Sequence, residues 1–143
     1  MAITITTFSP NTKAESSKVN QNFTNVKNAV DQLQADKSLY TLTDDATVTL
    51  NLNNGKMFTL ETTDEVGDAR TLVLSNVTVG QGFMLRIVQG GTGSKTVNWF
   101  SGIKWPSGTA PTLTTTVGSA DSFGFVCTAT NTYDGLFMGF DLR

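Results

Sequence analysis

Between positions 19 and 33 the apolar residues are Val19, Phe23, Val26, Val30 and Leu33, separated by alternating steps of four and three. That is the repeat of a coiled-coil seam, with Phe23 and Val30 at a and Val19, Val26 and Leu33 at d. The positions facing away are polar: Asn20, Gln21, Thr24, Asn25, Lys27, Asn28, Asp31 and Gln32. An apolar face this narrow needs a partner helix or a narrow groove. Leucine at d favours two strands, whereas β-branched residues at both a and d shift the preference to three or more. Valine occupies d twice and a once, so the seam predicts a homotrimer. About two heptads are marginal alone in water, and whatever follows the helix has to support it. The competing reading is that the stripe covers the chain's own β-domain.

Before the helix, Ile3 and Ile5 alternate with Thr4 and Thr6, and Phe8 precedes Ser9-Pro10. This pattern predicts an extended arm over residues 1–14, too small to own a core. Ile3, Ile5 and Phe8 must therefore dock on the β-domain or on another protein, which makes them the attachment residues. Thr12 followed by Glu15 fits a capping box, with Ser16 or Ser17 as alternative caps. The helical segment is residues 15–37.

From residue 38 the period changes to two. Val48, Leu50 and Leu52 alternate with threonine and asparagine, and Phe58 and Leu60 alternate with Met57 and Thr59. The intervening Asn53-Asn54-Gly55 predicts a hairpin, because these residues tolerate positive φ. Further strands are expected over residues 71–74, 83–88, 97–99, 103–105 and 112–117. A last pair, residues 123–128 and 136–142, is joined through residues 130–134. Many short strands with regular turn signals predict an antiparallel β-sandwich or jelly-roll-like head over residues 38–143. The fold class is thus mainly β, with an extended arm and one amphipathic helix in front.

The totals narrow the function. With 143 residues the chain suits one compact domain plus an appendage. No apolar run approaches the roughly 18–20 residues of a membrane span, so no membrane insertion is expected, and the start has neither a basic nor an apolar signal region. The ten Lys and Arg are scattered, against twelve Asp and Glu, which disfavours nucleic acid as a partner. Histidine is absent and Cys127 is the single cysteine. The commonest general base, the commonest metal ligand and any thiolate cluster are therefore missing. No enzyme, cofactor or resident metal is expected, and Cys127 reads as a small buried hydrophobe.

Two segments carry a resemblance. FSPNTKAESSKVNQNFTNVKNAV, residues 8–30, is similar to the amino-terminal segment of small phage structural and fibre proteins, which share F-x-P, V-N-x-N-F and a short amphipathic helix. Within residues 83–140, FMLRIVQGGTGSKTVNW, IKWPSGTAPTLTTT, ADSFGFVCT and YDGLFMGF resemble a β-domain at the carboxyl end of phage tail-fibre, spike and capsid-attached proteins. The resemblance implies a homotrimeric component of the virion surface, made in the host cytoplasm. Its arm would bind a phage capsid protein, or a tail or baseplate protein. The chain has no repeats and no long shaft, which fits a capsid decoration protein or short head fibre, with a short tail fibre or receptor-binding spike as the alternative.

Other candidate chemistry is sparse. Trp99 and Trp105 could form a platform for a host-surface glycan, since aromatic faces stack on sugar rings; packing in the core or at the trimer interface is the competing role. Gly90-Gly91-Thr92-Gly93-Ser94-Lys95 invites a phosphate-loop reading, but Ser94 precedes Lys95 and a strand follows, so a hairpin connection is expected. Asp44-Asp45 and residues 64–68 offer oxygen ligands without the spacing of a calcium loop.

Overall fold

The computed structural model describes residues 3–9, 13, 15–36 and 38–143. Among the described residues the chain is mainly β, with one α-helix, α1 (Ser16–Ala35), a short 3-10 turn at Pro106–Gly108 and nine strands. Residues 3–9 have no regular secondary structure. Helix α1 starts after Glu15, which stands at the N-cap without a side-chain cap bond. Glu15 instead pairs with Lys18 at 3.2 Å. Thr12, the other half of the expected capping box, lies outside the described residues.

The strands are β1 (Leu39–Leu42), β2 (Thr47–Asn51), β3 (Met57–Glu61), β4 (Ala69–Ser75), β5 (Gly82–Val88), β6 (Thr96–Asn98), β7 (Ile103–Lys104), β8 (Ala120–Ala129) and β9 (Thr132–Leu142). They form a six-stranded sheet in the order β1-β3-β5-β8-β9-β7 and a three-stranded sheet in the order β2-β4-β6. The chain alternates between the two sheets from β1 to β6, and every pairing among those strands is parallel: Tyr40 faces Phe58, Phe58 faces Leu85, and Val48 faces Leu72. This is a solenoid-like coil, not the antiparallel sandwich expected from the pattern. The hairpin expected at Asn53-Asn54-Gly55 is a corner that carries the chain from one sheet to the other. Gly55 has φ +147°, and a Cβ there would lie 2.8 Å from the Ala35 carbonyl oxygen, so this corner fits under the end of α1 only as glycine. The Gly90–Lys95 turn is likewise a corner and not a hairpin, since β5 and β6 belong to different sheets.

Antiparallel pairing begins where the coil ends. β8 runs back along β5, and β9 along β8. The β8–β9 hairpin agrees with the sequence pattern, though its connection is tighter, turning through Thr130 and Asn131, with Asn131 at φ 53°. The strand expected over residues 112–117 is a loop, held by Thr114, whose N–H and hydroxyl donate to Asp121 at 2.6 and 2.8 Å. β1 carries no strong alternation and escapes the sequence reading.

Inward positions of the two sheets make one core. Val48, Leu50, Leu52 and Leu72 face Phe58, Leu60, Leu85, Ile87, Phe123 and Phe125. Because the second sheet has only three strands, the inner face of β8 and β9 needs another cover. The segment from Trp99 through β7 supplies it: Trp99 and Trp105 pack against Phe123 and Phe125 with ring centroids 4.9–6.3 Å apart.

The corners of successive coils are stitched by polar side chains. Asp44, before β2, accepts from Arg70 Nε at 2.8 Å and Nη2 at 2.6 Å, and from the Thr63 N–H and hydroxyl. Arg70, fully buried at the start of β4, also donates to the Gly67 and Thr63 carbonyls. One coil further, Asp64 accepts from the Thr92 N–H and hydroxyl, and Lys95 pairs with Asp64 and Asp68 at 3.1 Å each.

Candidate functional site

The helix seam is an apolar surface that the chain's own fold leaves largely exposed. The C-terminal end of α1 meets the corner between β2 and β3, where Lys56 pairs with Asp36 at 2.9 Å and Gln32 Nε2 reaches the Asn53 carbonyl at 3.4 Å. Among the described residues no strand packs along the helix. Phe23, Val26, Val30 and Leu33 are accordingly 72, 42, 45 and 61% exposed, while Val19 is half-buried. The reading in which the stripe covers the chain's own β-domain is therefore excluded by the fold. Four apolar side chains of the line, Phe23, Val26, Val30 and Leu33, remain exposed.

The arm lies along the flank of this seam. Asn22 accepts the Thr6 N–H through Oδ1 at 2.8 Å and donates Nδ2 to the Thr6 carbonyl at 3.0 Å. A single side-chain amide thus satisfies both main-chain groups of one residue, as a neighbouring strand would. One turn on, Asn25 donates to the Thr4 carbonyl, and Gln21 holds the Asn25 amide from behind at 2.9 Å. The arm runs antiparallel to the helix, since Thr4 meets Asn25 and Thr6 meets Asn22. Phe8 then reaches the helix start, where Phe8, Val19, Asn22, Phe23 and Val26 line an almost wholly apolar cleft of about 220 Å³. Ile3 and Ile5 stay about half exposed. The arm thus docks on α1 instead of on the β-domain. The sequence pattern places Asn25 among the polar positions facing away from the seam and assigns Asn22 no role; the hint it carries is two asparagines at a three-residue interval beside the seam.

The tryptophans sit on the β-domain, away from this seam. Trp99 and Trp105 are half-buried and meet edge to face, with centroids 5.0 Å apart and planes at 66°. Trp105 stacks on Phe137 at 17° and lies over Gly135, where a Cβ would come within 2.7 Å of the indole. The two indoles do not form one flat surface. A groove of about 310 Å³ beside Trp99, bordered by β4, Ser101, Asn131 and Tyr133, has the Tyr133 phenol as its one ionisable group. Burial pushes that phenol above its usual range.

The acidic corners are occupied by the chain's own donors. Asp44 is taken up by Arg70 and Thr63. Burial alone would raise its carboxyl, but the hydrogen bonds from both partners and the Arg70 charge leave it below the usual range. Asp64 is lowered first by the Thr92 N–H and hydroxyl, then by Lys95. The glycine-rich turn therefore points its Thr92 N–H at a carboxylate of this chain and not at an external phosphate. Among the described residues no three Asp, Glu or Cys side chains converge as a metal site would require.

A second apolar surface lies on the outer face of the six-stranded sheet. Leu39, Met57, Met84 and Leu136 follow one another across the register, with Met138 folded over Gly124 between the last two. No helix of the described residues is long and apolar enough to cross a membrane. Comparison with known proteins returns no family model, no curated protein and no solved structure that matches this chain.

Proposed function

We propose that the protein is a homotrimeric structural component of a phage particle, carried on the virion surface as a capsid decoration or head-fibre protein, with no catalytic role. The observation that carries the reading is the seam of Phe23, Val26, Val30 and Leu33, spaced for helix–helix supercoiling and left exposed by the chain's own fold. Valine at both a and d supports three chains over two. The charged groups of the head support a structural role, because Arg70, Lys95, Asp44 and Asp64 are spent on tying corners together. The phage assignment rests on the resemblance of residues 8–30 and 83–140.

In this reading three helices meet on a threefold axis and the β-heads project from it. The arm, Ile3, Ile5 and Phe8, together with the axis, faces the particle. The test has two parts. Light scattering coupled to size exclusion should give the mass of three chains at micromolar concentration, and a monomer there would refute the assembly. Antibody against the protein should then label phage heads separated from tails. Recovery with tails alone would move the assignment to a short tail fibre or receptor-binding spike.

A further inference from the structure

We infer that the arm is half of the self-association surface, pinned to its own helix so that Phe8 and the cleft it forms receive a seam side chain of a neighbouring copy. This inference rests on the trimer reading above and deepens it. Three features lead to it.

First, the arm is placed beside the seam and not over it. In the heptad, Asn22 directly precedes the a residue Phe23, and Asn25 directly precedes the d residue Val26, so both amides hold the arm on one flank. An arm that served to shield the seam in a single chain would cover Phe23 and Val26. Both remain exposed. The arm instead widens the apolar strip, adding Phe8 to Val19, Phe23 and Val26 around the cleft. Two heptads alone are marginal, so added apolar surface at the same face is what assembly requires.

Second, the pins act on main-chain groups. Asn22 and Asn25 bind the N–H and carbonyls of Thr4 and Thr6, so the pins themselves use no side chain of the arm. A released arm would have to give these bonds up before adding itself to another protein's sheet edge.

Third, the face suits an identical copy. The e and g positions between Val19 and Leu33 are Asn20, Asn22, Lys27 and Ala29; Ala29 is already buried within the chain, and Lys27 is paired with Asp31 four residues on. Identical surfaces can therefore meet without like charges opposing one another. The seam repeat fits a helix of the same kind better than the flat surface of an unrelated partner.

The test compares the parent with Asn22→Ala/Asn25→Ala, which unpins the arm, and with Phe8→Ser, which keeps the pins and removes the apolar contact. Sedimentation equilibrium over a concentration series reads the half-dissociation concentration, and circular dichroism melting checks the head. The expected result is a rise of at least tenfold for each variant with an unchanged head melt. If the parent is an oligomer and both variants assemble as it does, the inference fails while the trimer stands, and the arm belongs to a different protein. If the parent itself is a monomer, the trimer reading fails and takes this inference with it.

Discussion

Arg70 and Asp44 form a two-pronged ion pair inside the coil, with Nε 2.8 Å from Oδ1 and Nη2 2.6 Å from Oδ2; the Arg70 side chain is fully buried and that of Asp44 is 6% exposed. The pair joins the corner before β2 to the corner before β4, so it links successive coils. Breaking a buried pair from one side strands a charge, which typically costs about 3–5 kcal/mol. Arg70→Met should lower unfolding stability by that order, read from urea denaturation of the chain. Asp44→Asn in the Arg70→Met background should recover part of the loss, because the stranded charge is then gone. A single variant within half a kcal/mol of the parent would show that the pair does not hold the corners.

The same pair gives a pH dependence. Asp44 has a folded-state pKa below its unfolded one, so its contribution is complete above the unfolded value of about 4 and is lost as pH falls through the folded value. Arg70 moves upward, first through the Asp44 hydrogen bond, and stays charged throughout. Stability should therefore be flat from neutrality down to about pH 5 and decline below about pH 4. Asp44→Asn should start lower and decline less steeply. Equal slopes for the two proteins across the acid range would remove Asp44 from the account.

At the seam, Val26→Asp would bring three carboxylates into one apolar layer. Desolvation and mutual repulsion oppose this, at a cost of several kcal/mol per trimer. The expected outcome is a monomer by light scattering with a normal head melt, since no strand packs along α1 among the described residues. The control belongs at Asn28, on the far face and exposed, where Asn28→Asp should change little. Asn25 is unsuitable as a control because its amide holds Thr4. A Val26→Asp protein that remains trimeric would assign the assembly to the heads.

Trp105 fills the gap that the short second sheet leaves over β9. Trp105→Ala should destabilise the head by about 2–4 kcal/mol, somewhat below a fully buried tryptophan because the ring is partly exposed. Gly135→Ala should cost about 1–3 kcal/mol by pushing the indole off the strand, with a red-shifted tryptophan emission. If Trp105→Ala melted with the parent, Trp105 would be a surface residue and its use in ligand contact would come to the fore.

Hydrophobic periodicity determined much of this protein directly. A seam repeat specifies which helix face is apolar, and α1 carries that face where residues 19–33 put it. Alternation specifies which side of a strand is buried, and Phe58, Leu60, Leu85 and Ile87 all point inward as their spacing requires. The β8–β9 hairpin was legible because its two runs lie close in the chain. Tertiary structure alone decided the rest. Alternation reads the same in a parallel and an antiparallel strand, so whether Asn53-Asn54-Gly55 folds back or crosses to the other sheet is decided by the parallel pairing of β3 with β1 and β5, neither of which adjoins it in the chain. The arm's place depends on side-chain amides of Asn22 and Asn25 binding main-chain groups of Thr4 and Thr6, and main-chain groups leave no mark in a sequence. Arg70 sits at an inward position that a polarity pattern assigns to solvent, and it is buried because two corners, the one before β2 and the one between β3 and β4, bring Asp44, Thr63 and Gly67 to its guanidinium.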